Sequence, residues 1–417
     1  MNCLVDRKIL FRMTNFESPD FILGANYWPR RKAMYWWKDF DGKEVENEFE
    51  EISSLGLNLV RIFLLWEDFQ PSPKEINFRN IKNLQKVLEI AEFKGLQILI
   101  TLFTGHMSGV NWVPIWALSK EKRDPGAYRT ISLNRSRKVK IGYFYRDSFL
   151  LRAQCFLIRK LVPAIREYPS LYGWDLGNEP SILLKPRTVR DSGFWAKTLS
   201  SELKKLDPHH PVTLGIHQGD LISDTKFHPH ALSPYLDLFS MHGYPNYSDW
   251  ARSPTDSKAL AFLNFLTEKM AKKKVFFTEF GLPVRADRVP TRERSTQFYT
   301  NQEKASRYFK SALHQLHRIG SLGALVWCFS DYHPDLKLYP PFDRAPHELY
   351  FGITRWNGKL KKTARILSQW SKAKKYVVLS PALKQYPVGK YFQSPEKNLR
   401  KLYQLFLTKN LARGFNV

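Results

Sequence analysis

Short runs of β-branched and aromatic residues alternate with longer amphipathic stretches along most of this 417-residue chain. That rhythm marks repeated βα units rather than separate all-α and all-β regions. The pattern predicts eight strands, over 21–27, 58–65, 97–103, 171–177, 212–217, 238–243, 275–279 and 323–329. Helical periodicity predicts helices over 44–55, 81–94, 149–168, 194–206, 257–272 and 305–319, with a last one over 360–375. The unit after the fifth strand is the weakest, because His228-Pro-His230 leaves room for only a short helix. Eight such units fit a closed (β/α)8 TIM barrel better than an open α/β sheet, and in that fold chemistry collects at the C-terminal ends of the strands.

Length alone, at ~150 residues per domain, suggests two or three domains, yet α/β barrels of ~250 residues or more count as one. The expected division is a catalytic domain over 1–375 and a basic C-terminal extension over 376–417, with Pro381, Pro387 and a helix over 399–411. The stretch 103–142 is too long for an ordinary strand-to-helix connection. Its Trp112 and Trp116 favour an ordered, substrate-covering loop over a disordered insertion.

A hydrophobic content of 43% with 25% charged residues excludes disorder. The net charge of +26 raises nucleic acid, anionic membrane or acidic polymer as partners. Its basic clusters, 135–140, 269–274, 359–365 and 372–375, are spread along the chain. No zinc-ligand spacing, helix-turn-helix or RNA-binding signature accompanies them, so solvated surface is the expectation and nucleic acid is not. No apolar run approaches the ~18 residues of a membrane span, so stable membrane insertion is not expected. The first residues lack the apolar core of a signal peptide, ~7–15 residues long, which predicts a cytoplasmic protein, with secretion after signal removal as the alternative. Cys3, Cys155 and Cys328 are too few for a disulfide framework, and Cys328 lies in an apolar run. His314-x-x-His317 and His228-x-His230 lack matching partners, so no metal site is expected.

The most informative segment is Leu171-Tyr-Gly-Trp-Asp-Leu-Gly-Asn-Glu-Pro180, an apolar strand ending in Asn178 and Glu179. A second carboxylate, Glu279, closes the seventh strand in Val275-Phe-Phe-Thr-Glu-Phe-Gly281. The fourth and seventh strands of a barrel lie on opposite sides of its mouth, so two glutamates there can face one another across a bound molecule. Such a pair at ~5–5.5 Å is what a retaining glycosidase uses, one as nucleophile and one as acid, then base. A single strand-end Glu is as often a salt-bridge partner; two at matched places point to chemistry. Adjacent strand residues face opposite ways, so Asn178 and Glu179 both reach a ligand only through a bulge or irregular turn. Pro180 favours extended geometry at Glu179. Arg61 is a charge inside the apolar Leu59-Val-Arg-Ile-Phe63 and must be paired if buried.

Asn178-Glu179-Pro180 and Thr278-Glu279-Phe280-Gly281 resemble the family 5 glycoside hydrolases over roughly residues 21–375. The resemblance implies Glu179 as acid/base, Glu279 as nucleophile and Asn178 on the sugar 2-hydroxyl. It implies that Arg61 holds the nucleophile ionised, that His106 and His242 bind sugar, that Tyr244 donates to the nucleophile, and that Trp327 is the platform under the innermost sugar. No metal or organic cofactor is implied. Glu279 would be held ionised by Arg61 and Tyr244, and Glu179 kept protonated by less polar surroundings and its negative neighbour. Ala25-Asn-Tyr-Trp-Pro-Arg30, Trp66-Glu-Asp-Phe-Gln-Pro71 and Gly105-His-Met-Ser-Gly109, with Trp112, are similar to a subset of the family that trims single β-mannosyl residues from short oligosaccharides. Trp28 and Trp112 thereby join the expected substrate-binding residues. The expected partner is an oligosaccharide or polysaccharide, and the expected activity exo-β-mannosidase. An endo-β-1,4-glucanase or endo-β-mannanase is the alternative within the same chemistry, and a non-catalytic carbohydrate-binding barrel the alternative outside it.

Overall fold

The structure is a computed structural model that describes residues 21–122, 128–285, 298–373 and 388–411. Eight parallel strands close into a barrel: β1 (Ile22–Asn26), β2 (Leu59–Leu65), β3 (Gln97–Thr104), β4 (Leu171–Asn178), β5 (Val212–His217), β6 (Phe239–His242), β7 (Val275–Phe280) and β8 (Gly323–Val326). Each strand pairs with its neighbours in sequence, and β1 closes the ring against β8. All eight expected strands form. Apolar on both faces, they bury one side in the barrel and the other under the helices, as a parallel sheet requires.

Residue alternation sorts the barrel interior into layers. Leu59, Leu99, Leu238, Phe276 and Leu325 form an apolar plug separate from the main core. Leu59, Arg61 and Phe63 share one face of β2, so the plug gives way along the strand to a charged layer and then to the mouth. The main core lies between barrel and helices, among them Gly42–Ser54, Phe78–Phe93, Ser148–Ile165, Val189–Leu206, Ser257–Ala271 and Gln302–Arg318. The helix expected from 194 begins five residues earlier, because Thr188 and Asp191 make a reciprocal capping box. Between β5 and β6 only the single turns Gly219–Ile222 and Pro229–Leu232 form, followed by a short 3-10 turn. The last expected helix is observed as Lys362–Lys372; residues 374–387 lie outside the described part.

The long stretch after β3 folds into two small sheets. One has four strands, His106–Met107, Val110–Trp112, Arg129–Ser132 and Arg135–Arg137; the other pairs Leu118–Lys122 with Val139–Ile141. Side chains pin it over the barrel mouth. Arg129 meets Asp343 through two bonds of 2.5 and 2.7 Å, Ser108 donates to Glu348 at 3.0 Å, and Lys38 donates to Asn134 at 2.8 Å.

The C-terminal helix, Pro395–Leu411, starts four residues before its expected position, at a proline suited to a first turn. It buries Leu399, Leu402, Tyr403 and Phe406 against the barrel's helices. Tyr403 donates to Asp256 at 2.6 Å, and Tyr391 to the carbonyl of Leu221 at 2.7 Å. Cys155 and Cys328 are buried free thiols, and Cys3 lies outside the described residues. No described helix is long and apolar enough to cross a membrane.

Candidate active site

Strands β1 to β7 deliver polar side chains toward the mouth, and Arg61 is their centre. Buried completely, it donates to Glu279 Oε1 at 2.6 Å, Asp175 Oδ2 at 2.6 and 3.0 Å, Asn178 Oδ1 at 2.9 Å, Thr101 Oγ1 at 3.0 Å and Asn26 Oδ1 at 3.1 Å. A guanidinium has five N–H donors in a planar fork, and here strands β1, β3, β4 and β7 all supply acceptors to it. The pairing expected for a charge in an apolar strand is thus met by two carboxylates.

The second oxygen of Glu279 accepts from Tyr244 Oη at 2.8 Å. Glu179 Oε1 lies 2.9 Å from His242 Nδ1, which also stands 3.5 Å from Glu279 Oε1. Glu179, His242 and Glu279 each offer a polar atom within 4.8 Å of the others. Among the described residues this is the one group of three that could share an ion, but both Glu279 oxygens already accept from Arg61 and Tyr244. The donor set suits glycosyl and proton transfer better than coordination.

Asn178 and Glu179 do both reach the mouth, and the backbone explains how. The pairing of β4 with β5 shifts register between Asp175 and Asn178. Glu179 then adopts the left-handed conformation, φ 47° and ψ 52°. This corrects the extended geometry expected from Pro180. A non-glycine residue held there costs ~1–3 kcal/mol, and such strain concentrates at functional sites. The Asn178 amide donates to the carbonyl of His106 at 2.8 Å while accepting from Arg61, leaving one N–H for a ligand.

Surroundings of Glu179 also differ from expectation. Instead of apolar neighbours it has three imidazoles, His106, His217 and His242. Burial pushes its carboxyl up, but the His242 hydrogen bond and the positive charge these rings carry when protonated outweigh burial and draw it down to about 2. Glu279 moves upward, because burial and the Glu179 charge together exceed the pull of His242, Arg61 and Tyr244. Burial lowers the proton affinity of His106, whose Nδ1 lies 2.9 Å from Asn111 Oδ1 and whose ring meets Tyr128 edge-on at 4.5 Å. Burial also pushes the Tyr244 hydroxyl up, keeping it a donor.

Trp327, joined to Cys328 by a cis peptide bond, points Nε1 at Glu348 Oε2 at 3.4 Å and meets Phe63 edge-on at 5.9 Å. Trp28 stacks flat on the same Phe63, 5.1 Å away. Trp112 sits in the inserted sheet, edge-on to Tyr35 at 5.7 Å. Trp28 and Trp112 are therefore packed among aromatic side chains outside the hydrogen-bonded cluster of Arg61, His242, Glu179 and Glu279.

Asp175, Asn26, Thr101, His217 and Glu348 were not singled out by the sequence. Asp175 carries the signal that exposed Arg61, a charge inside an apolar strand, and His217 ends a strand as His242 does. Glu348 lies in a loop without periodicity and had no signal.

The sequence model of the Cellulase family (glycosyl hydrolase family 5) matches residues 24–330. A crystal structure of GH5_18 from Streptomyces cattleya in complex with Manβ1-4GlcNAc superposes with a TM-score of 0.75 at 18% identity, over 93% of this chain and 92% of that one. The exo-β-1,4-mannosidase Op5Man5 from Opitutaceae bacterium strain TAV5 gives 0.69 at 24% identity, over 84% of this chain and 59% of that one. A putative mannan endo-1,4-β-mannosidase 9 from Oryza sativa subsp. japonica is 24% identical over 322 residues, 69% of this chain and 74% of its own. With a family match spanning most of its barrel, the chain belongs to glycosyl hydrolase family 5 and is a glycosyl hydrolase.

Proposed function

We propose that this protein is an exo-acting β-mannosidase that removes single β-mannosyl residues from oligosaccharides with retention of configuration. The observation that carries the chemistry is the approach of Glu179 and Glu279 within 4.8 Å, from strands β4 and β7, with Arg61 on Glu279. That spacing suits direct attack by one carboxylate and leaves no room for the intervening water of an inverting enzyme.

In the first step a Glu279 oxygen attacks the anomeric carbon while Glu179 gives its proton to the departing glycosidic oxygen. In the second, Glu179 takes a proton from water, whose oxygen displaces Glu279 and releases mannose. Glu179 and Glu279 influence one another's charge, so the question is where a proton shared between them resides. The imidazole charges that depress Glu179 exist only while the rings are protonated, whereas Arg61 is always charged. With the rings charged, Glu179 is the more acidic of the two, so the proton must pass to Glu179 before the glycosidic oxygen departs.

The exo reading is supported by the clasped insertion. In the barrel β3 and β8 are separated by β1 and β2, so the contacts Arg129–Asp343 and Ser108–Glu348 span that side of the mouth. A wall there suits the end of a chain better than its middle. The names of the Streptomyces and Opitutaceae neighbours agree with a β-mannosyl substrate, and that of the rice relative keeps an endo-β-mannanase as the second reading.

The test is p-nitrophenol release from a panel of aryl β-glycosides, mannoside and glucoside side by side, by the native protein and Glu279→Gln. Release from the mannoside that disappears in Glu279→Gln is expected. Silence on every aryl glycoside, with activity on polymeric mannan, would overturn exo action.

A further inference from the structure

Between the turn that follows Glu179 and the inserted sheet lies a cavity of about 280 Å³ that the reaction so far leaves unassigned. It lies near the lower end of ligand-site sizes, ~300–1,000 Å³, and so suits one sugar ring better than a long chain. Its wall includes Asn111, Tyr128, Arg137, Ser181, His217 and Thr225. Two of these connect it to the acid/base: the His217 charge acts directly on Glu179, and the Glu179 charge acts on Tyr128. Ser181 and His217, 3.1 Å apart, come from the turn after Glu179 and the end of β5. An acid that protonates the departing oxygen must face the departing unit, and the cavity wall begins two residues after that acid, at Ser181.

The wall divides between polar side chains suited to hydroxyl groups and an apolar part made by Val139, Ile141 and residues 182–184. Arg137 adds a fixed positive charge. The sequence placed it in a basic cluster expected to be solvated surface, but its Nε is buried and has no hydrogen-bond partner. Among the described residues no carboxylate pairs with it, and no Asp or Glu lines the cavity. A cation held partly out of water without a counter-ion is costly unless its partner arrives with a ligand. Arg137 stands on an inserted strand, Arg135–Arg137, fixed beside Arg129–Ser132 in the clasped sheet.

We propose that this cavity receives the leaving unit of the substrate and that Arg137 reads an anionic group on it, a carboxylate or a phosphate ester. The inference rests on the β-mannosidase reading and narrows its substrate class to mannosides whose leaving unit is acidic. A guanidinium matches both anions through paired N–H donors.

The test compares kcat/KM of the full chain on three β-1,4-linked disaccharides, mannosyl-glucose, mannosyl-glucuronate and mannosyl-glucose 6-phosphate, with p-nitrophenyl β-mannoside alongside. At low salt one acidic disaccharide is expected to exceed the neutral one by ~10- to 100-fold, the size of a charged hydrogen-bonded pair. Whichever acid is preferred identifies carboxylate or phosphate. The ratio should shrink as sodium chloride rises, fall to near one in Arg137→Gln, and recover in part in Arg137→Lys. A native ratio near one, or a ratio that survives Arg137→Gln, overturns the inference. If the aryl mannoside is still cleaved in that case, the mannosidase reading stands without it; if no mannoside is cleaved, both fall.

Discussion

Asp175 Oδ2 accepts two hydrogen bonds from Arg61, 2.6 Å from Nη2 and 3.0 Å from Nε, although neither side chain has any exposed surface. Its other oxygen accepts from the backbone N–H of Gly215 at 3.0 Å and of Gly177 at 3.3 Å. Asp175 thus fixes Arg61 from one side while Glu279 holds it from the other. A buried pair of this kind contributes little net stability over an apolar alternative, but removing one partner leaves a charge stranded.

Asp175→Asn should therefore lower both stability and activity. Loss of the charge is expected to cost about 3 kcal/mol in urea unfolding. Once Arg61 is free to shift, Glu279 loses its orientation, and kcat on an aryl mannoside should fall roughly 100-fold. A variant that unfolds more easily yet keeps native kcat would show that Asp175 supports the barrel and not the nucleophile.

Gly215 lies where β5 passes under the same cluster. A methyl group there would stand 3.0 Å from Arg61 Nη2 and 3.0 Å from the His242 ring. Both neighbours are tightly held, so Gly215→Ala is expected to displace His242 from Glu179. Overpacking of this order costs ~1–3 kcal/mol. Activity should drop by more than tenfold even where the folded fraction stays above nine-tenths, the drop measured by kcat and the fraction by circular dichroism. Native activity in the variant would contradict the packing argument.

The barrel was legible because its strands are apolar runs at regular spacing, and Glu179, Glu279 and Arg61 were legible because a charge ending or interrupting such a run is conspicuous. The left-handed backbone at Glu179 was not, since the sequence offers a proline rule that favours the opposite geometry. Of the imidazoles around Glu179, His106 and His242 were expected in the site as sugar binders, whereas His217, and the convergence of all three on one carboxylate, were not. His106 comes from the inserted strand His106–Met107, and His217 and His242 from the ends of β5 and β6, and only the closed barrel brings them together. Trp112 was conspicuous as an aromatic in a long loop, but its edge-on packing against Tyr35 depends on how that loop folds back over the barrel and was not legible. Arg137 was read as one of a cluster of surface charges, because local sequence does not record which member of a cluster turns inward.

Asp207 provides a pH test of the scaffold independent of the reaction. Burial raises its carboxyl, but hydrogen bonds from His210 at 2.7 Å and Trp174 at 2.8 Å prevail and hold it at about 2. An unfolded Asp titrates near ~3.9, so the folded form binds its proton more weakly. Its contribution is present above ~3.9 and is lost as pH falls toward about 2. That shift corresponds to about 2 kcal/mol. Urea unfolding of native protein and Asp207→Asn should differ by this amount at pH 7 and converge only as pH falls to about 2. A difference independent of pH would mean the aspartate acts through shape and not charge.

The clasp gives a test of substrate selection. Arg129 and Asp343 are 13% and 27% exposed, so their paired bonds contribute about 1 kcal/mol or less to folding. They nevertheless join the insertion after β3 to the loop after β8, and among the described residues Ser108–Glu348 is the direct side-chain bond that remains between those two segments when they are cut. Asp343→Ala should therefore leave the unfolding free energy within ~1 kcal/mol of native while opening the closed side of the mouth. Product analysis on linear mannan should then show internal cleavage, oligosaccharides appearing beside mannose, with the ratio of polymer to aryl-mannoside activity rising several-fold. Arg129→Met should do the same, because either substitution breaks the same pair. If both variants still release mannose alone, the wall that selects chain ends is not the clasp, and the selection must come from the bound sugar's own contacts beside Trp327 and Glu348.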